Sequence, residues 1–223
     1  MPFRPEYIFR INVVYVKTQD DITEITTDDH ANKKWNAAYK TFKPRIRNHL
    51  KLQQHARCAF CRCLIGPGTS DETLEHLVSK TDYPQFKTLP ENLVYCCWIC
   101  NRSKKKKNTL NNPIVNKSLQ AFPANSNGFI IVNPYHDDYE QHINFLDDIL
   151  IIKANNSLKG ENTIEFYDLA RPKLAENRAR EFKLNQAQIN QQLTQRLTDS
   201  LTPANVLEQI NGIIAEMPNW VIN

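Results

Sequence analysis

No apolar run in this 223-residue chain approaches the roughly 18–20 residues that a membrane-crossing helix needs. The longest, around Ile130–Val132 and Ile149–Ile152, are strand-sized. A transmembrane protein is excluded on these grounds, and no membrane partner is expected. The first 17 residues are interrupted by Arg4, Glu6 and Arg10 and offer no small-residue cleavage site, so no secretory leader is expected either. Cysteine is missing from four-fifths of the chain, because all six cysteines lie between Cys58 and Cys100. A disulfide framework would tie distant segments together, and a reducing compartment would undo it. One tight cluster in a chain without an export signal reads instead as a metal site, and the expected location is cytoplasmic. Internal repeats are absent, as are low-complexity tracts beyond Lys104–Lys107.

The composition supplies a core. Apolar residues make up 41% of the chain, which argues against global disorder and allows one large domain or a smaller one with appendages. The net charge of +4 is unevenly spread: +3 over residues 1–50, +5 over 51–110, −2 over 111–160 and −2 over 161–223. The basic half coincides with the cysteine cluster, which fits a nucleic-acid partner. A merely solvated basic face accounts for the charge equally well.

Hydrophobic spacing gives the elements. Tyr7–Lys17, rich in Ile, Val and Tyr, predicts a strand. A helix is expected to start at Asp28 or Asp29, with Trp35, Tyr39 and Phe42 on one face, and a second to run from Pro44 to about His55. Thr73–Lys80 and Glu91–Tyr95 read as strands, and Asn101–Lys107 as a short basic helix. Pro172 suits a first helical position before Phe182, Gln186, Ile189, Leu193 and Leu197. Pro203 opens a last helix bearing Val206, Leu207, Ile210, Ile213 and Ile214. Together the last two form a C-terminal helical hairpin.

The strongest motif is Cys58-Ala-Phe-Cys61, 35 residues, then Cys97-Trp-Ile-Cys100. Two CxxC knuckles present four thiolates, the donor set of a tetrahedral structural Zn²⁺. Cys63 and Cys96 leave the register ambiguous. Between the knuckles stand Glu75-His76 on one expected strand and Asn92 at the start of the other. A lone histidine on a strand is more often structural, but this one stands beside a carboxylate and between two metal knuckles. His136, Asp137, Asp138 and His142 read as polar surface and capping rather than a second metal site.

The segments CAFCRCLI, LEHLVSK, ENLVYCCWICNRSKKKK, NPYHDDYEQHINF and TIEFYDLARPKLAENR together resemble the HNH endonucleases of Septu (PtuB) anti-phage systems and their retron-associated relatives. The resemblance implies a fold and three regions. The fold is α+β and mainly α-helical, with a ββα-metal HNH core carrying four-cysteine zinc knuckles, flanking helices and the C-terminal hairpin. Residues 1–50 would support the core, 51–112 would form the nuclease core, and 113–223 would dock a partner. His76 would be the general base; Glu75 and Asn101 would hold Mg²⁺ or Mn²⁺; Asn92 would fix the loop or the His76 ring. Cys58, Cys61, Cys97 and Cys100 would hold the structural zinc. Lys80, Arg102, Lys104, Lys105, Lys106 and Lys107 would contact nucleic acid electrostatically. Glu75 stands where many members of the family have Asp, and Asn101 where many have His; both remain oxygen ligands suited to a hard cation.

The expected function is therefore hydrolysis of phosphodiester bonds, in DNA first and RNA or tRNA second. The chain would be the toxic effector of an anti-phage complex with a PtuA-like ATPase and, in the retron version, a reverse transcriptase and its multicopy single-stranded DNA. The alternative is a non-catalytic zinc module that binds nucleic acid or a protein. A site-specific homing or restriction enzyme would need a sequence-reading domain, and no helix-turn-helix or second finger is evident.

Overall fold

The computed structural model describes residues 7, 9–66, 71–111 and 121–199. These form an α+β protein with five α-helices and two small antiparallel hairpins among the described residues. No helix among them is long and apolar enough to cross a membrane.

Helix α1 spans Gln19–His30 and begins at a reciprocal capping box: Thr18 accepts from the Asp21 amide, and the Asp21 carboxylate accepts from the Thr18 amide. It thus ends where a helix was expected to start. Asp28 and Asp29 do different work there. Asp28 accepts from the Tyr39 amide at 2.6 Å and from Lys33, and Asp29 accepts from the Tyr39 hydroxyl. Those bonds fold residues 33–41 into turns, with Tyr39 at φ +55°, so Trp35 and Tyr39 are placed by a loop rather than by helical spacing. Helix α2 follows at Phe42–Gln53, and its buried Phe42, Ile46 and Leu50 recur every four residues. Its first amides are capped by Glu24 of α1, which accepts from Thr41 and Phe42.

The expected Tyr7–Lys17 strand does not form: described residues 9–18 are irregular, with a bend at Val13, and lie in no sheet. Phe9 and Ile11 are buried, while Val13, Val14 and Val16 face outward, and Ile11 bonds a single backbone carbonyl, that of Pro134. A β-rich composition without a neighbouring edge leaves an irregular strap.

Strand β1 (Glu72–His76) pairs antiparallel with β2 (Leu93–Cys97), from Glu72 opposite Cys97 to His76 opposite Leu93. Helix α3 (Trp98–Lys104) continues directly from β2 and packs on β1. A second hairpin, β3 (Ile143–Leu146) with β4 (Leu150–Lys153), leads into α4 (Leu158–Phe166) and α5 (Pro172–Asp199). Gly160 of α4 lies so close to the His142 carbonyl that a Cβ would sit 1.9 Å from its oxygen, so this close helix–loop approach requires glycine. Pro172 opens α5 as expected, whereas the helix expected after Pro203 lies outside the described residues.

One hydrophobic cluster runs from Ile11 through Leu50, Phe60, Val94 and Tyr139 to Leu174. The segment 133–142 turns around Asp137, which is buried and accepts from the Asn133 amide, Ser126 and Lys159. His142 contacts Ser157, the N-cap of α4. This polar group therefore fastens loops and caps a helix.

Candidate metal centre and histidine site

The two knuckles arise from local geometry. The first is a turn in which the Cys58 amide donates to the Cys63 carbonyl and the Arg62 amide to the Cys58 carbonyl, with Arg62 at φ +60°. The second sits at a strand–helix junction: Cys97 ends β2 and caps α3, and Cys100 lies in the first helical turn. CxxC spacing across a helix start turns both thiols the same way.

The sulfurs of Cys58, Cys61, Cys97 and Cys100 all lie within 4.8 Å of one another. A tetrahedral zinc with Zn–S bonds of about 2.3 Å needs sulfurs about 3.8 Å apart, and Cys61 and Cys97 are 3.9 Å apart. Soft thiolate donors in this arrangement fit Zn²⁺. Burial pushes the Cys100 thiol well above its ordinary value, so a bound cation would have to displace its proton. Cys63 and Cys96 stand outside this group of four, although the Cys96 sulfur lies 3.7 Å from that of Cys58.

Later parts of the chain close over both knuckles. Tyr167 stacks on Phe60 with ring centroids 3.5 Å apart, Arg178 donates to the Cys61 carbonyl, and Arg171 donates to the Cys100 sulfur at 3.3 Å. Arg171 is itself held by the Tyr167 and Asp168 carbonyls at the end of α4.

At the other end of the β1–β2 hairpin, His76 is 2% exposed. Its Nε2 lies 2.9 Å from the Lys87 carbonyl oxygen. Because a carbonyl only accepts, that bond places the proton on Nε2 and leaves a lone pair on Nδ1. Nδ1 is buried and has no hydrogen-bond partner. Trp35 stands edge-on to the imidazole, 4.5 Å between centroids. Burial first, then the Lys80 ammonium, holds His76 well below its ordinary value, so the ring is neutral at physiological pH.

Glu75, 5% exposed, is paired with Lys104 at 2.8 Å. Burial pushes its carboxyl up, against the pull of that ammonium. Lys104 is 1% exposed and also donates to the His76 carbonyl. A divalent ion is therefore not accommodated at Glu75 unless Lys104 is displaced. Asn92 is fully buried and fastens the loop after β1: its Oδ1 accepts from the Val78 amide at 2.7 Å, and its Nδ2 donates to the Val78 and Phe86 carbonyls. Asn101 donates to Thr73 Oγ1 and the Leu74 carbonyl, tying α3 to β1.

No protein-family model matches the chain. A Septu protein PtuB of Bacillus mycoides (strain KBAB4) is 34% identical over 151 residues, which is 60% of this chain and 50% of that relative. Over these stretches the chain is similar to Septu PtuB proteins. A second Septu protein PtuB, from Bacillus thuringiensis, is 28% identical over 83 residues, 37% of this chain and 32% of the relative. The matches thus span about half and about a third of these PtuB relatives.

The structure groups the expected residues unevenly. Glu75, His76, Asn92 and Asn101 all lie on or beside the β1–β2–α3 unit. The expected cationic run divides. Lys105, Lys106 and Arg102 are exposed, Lys80 is half-buried, and Lys104 and Lys107 are engaged internally. Lys104 faces Glu75 instead of a phosphate, because a buried carboxylate needs a counter-charge. Lys107 donates to the Glu165 and Phe166 carbonyls, completing the C-terminus of α4. Two site residues, Arg171 and Trp35, escape sequence reasoning. Arg171 lies in the segment TIEFYDLARPKLAENR, distant in sequence from the cysteines it serves. Trp35 reads, by its spacing, as a helix-face residue.

Proposed function

We propose that this protein is an HNH-type nuclease, with His76 as the general base. The single observation that carries the reading is the pinned, neutral His76 imidazole with its Nδ1 lone pair unpartnered. A base that is unprotonated near pH 7 takes the proton from water as the water oxygen attacks phosphorus and the bond to a bridging ester oxygen breaks. Lys87 fixes the tautomer. Asn92 holds the 78–86 loop and Lys104 grips the His76 carbonyl, so the ring's position is set from both sides.

The four cysteines would hold structural zinc and lock the opposite hairpin end. Glu75 and Asn101 are the proposed ligands of Mg²⁺ or Mn²⁺, which would relieve charge at the phosphate; entry there exchanges with Lys104. Homology to Septu PtuB supports a place in an anti-phage defence complex, and we assign the chain its effector role. A PtuA-like ATPase is the proposed partner, joined in a retron version by a reverse transcriptase and its DNA.

The Lys104–Glu75 pair favours a second reading, a zinc module that binds without cutting, because the carboxylate is already neutralised. The deciding experiment compares wild type with His76→Ala, each co-expressed with any ATPase encoded beside it, on plasmid DNA and on total RNA, with Mg²⁺ or EDTA. Cleavage should fall by about 10²–10⁴-fold in the variant and vanish in EDTA. Cleavage undiminished by His76→Ala removes the assignment.

A further inference from the structure

Beside His76 the surface opens into a cleft of about 510 Å³, within the roughly 300–1,000 Å³ typical of ligand pockets. Its walls come from separate parts of the chain: Trp35 between α1 and α2, Lys43 and Arg47 on α2, Lys80 after β1, and Trp98 and Arg102 on α3. Four cations thus face one acidic wall residue, Glu72, which is already engaged by Lys51 and the Tyr95 hydroxyl. Arg47 Nε is buried without a hydrogen-bond partner. Cations and indoles alternate: Lys43 and Lys80 lie 5.4 and 5.9 Å from the Trp35 ring centroid, and Arg102 lies 5.0 Å from that of Trp98. Trp98 keeps 45% of its surface open in this charged setting.

We propose that the cleft takes an unpaired nucleotide of a single-stranded nucleic acid, with its base stacked on Trp98 and its phosphates against Arg47, Lys80 and Arg102. An open aromatic face set among cations offers stacking to a base that has left the helical stack, since a duplex hides its base faces. Of the cleft cations, Arg102 is exposed while Arg47 is half-buried with its Nε out of solvent. The cleft cations therefore do not form one exposed row of the kind that tracks duplex backbone. His76 does not line the cleft, but the Trp35 indole forms one wall and also contacts the imidazole, which links the cleft to the proposed base. The inference rests on the nuclease reading for its chemistry and narrows the substrate class.

The test is fluorescence anisotropy on the full chain carrying His76→Ala, repeated on wild type in EDTA. The probes are a labelled DNA strand of about 12 nucleotides, within the site sizes of single-strand binders, the RNA strand of the same sequence, and the DNA duplex. A strand should bind at least tenfold tighter than the duplex, by the order of magnitude that one stacked base contributes. Trp98→Ala should weaken strand binding about tenfold, while Trp98→Phe keeps a stacking face and most of the affinity. Preference for the DNA or for the RNA strand supports the cleft either way and identifies the sugar. Equal affinity for duplex, or equal binding by Trp98→Ala and wild type, overturns it. The two readings fail separately. Strand binding by a chain that cuts nothing leaves the cleft and removes the nuclease, while cutting confined to duplex does the reverse.

Discussion

The two ends of the β1–β2 hairpin share ten strand residues and differ in almost everything else. At the cysteine end, four sulfurs converge, and Arg171, Arg178 and Tyr167 close over them from a distant part of the chain. At the histidine end the groups are mixed: an imidazole with a free lone pair, a carboxylate balanced by an ammonium, and an adjoining cationic cleft. A uniform, enclosed donor set suits a metal that only holds structure. A mixed set with an unmet bonding capacity suits chemistry or binding. The separation also makes mechanical sense, since β2 runs directly from the Asn92 loop into the metal knuckle and rigidity at one end fixes geometry at the other.

Breaking the cysteine end should have the largest effect. Cys97→Ser, or stripping zinc with a strong chelator under mild denaturant, should abolish the cooperative melting transition, because structural zinc contributes on the order of 10 kcal/mol or more. Metal analysis should find one zinc per chain in wild type and markedly less in the variant. A melting curve unchanged after zinc loss would show that the two ends are not ranked as argued.

Lys104→Met should come next. It strands the Glu75 carboxylate in a buried site and should cost about 3–5 kcal/mol, read by denaturant unfolding. The double variant Lys104→Met with Glu75→Gln should recover much of that loss. No recovery would mean that Lys104 acts mainly through the His76 carbonyl.

Asn92→Ala removes three buried hydrogen bonds and leaves the Val78 amide unpaired. The expected cost is about 2–3 kcal/mol, and hydrogen exchange should rise in residues 78–86 while the cysteine knuckles stay protected. Exchange spreading evenly over both ends would erase the contrast.

The smallest effect is expected from Arg171→Met, which deletes the donor to Cys100. Zinc affinity should fall about 10–100-fold, as for other outer-shell partners, measured by competition with a colorimetric chelator. Histidine-end properties should not move.

Much of the candidate site was legible because its residues are close in sequence. CxxC spacing marks two knuckles whatever surrounds them, and Glu75-His76 beside a strand pattern places both at a hairpin end. The α2, β1, β2 and α3 elements were readable for the same reason, each within a few residues of its observed bounds. The reading failed in two ways. The Thr18–Asp21 capping box that starts α1 well before Asp28 is a local signal that it missed, whereas the Asp28–Tyr39 bond, spanning eleven residues, turns Trp35 out of the helix expected there. The strap at residues 9–18 has strand composition but no edge to join, and no local pattern reports that.

The sequence by itself determined that four cysteines able to hold a metal bracket a carboxylate–histidine pair, because ligand type and spacing are local chemistry. Only the tertiary structure decided which charges are spent internally. Lys104 and Lys107 sit in one run with Lys105 and Lys106, yet the first neutralises Glu75 and the second caps α4. Arg47 and Trp98 gained a cleft because α2 and α3 both pack on the β1–β2 hairpin. Burial and pairing depend on what the folded chain brings near, and electrostatic interaction energy depends on distance and dielectric rather than on order in sequence.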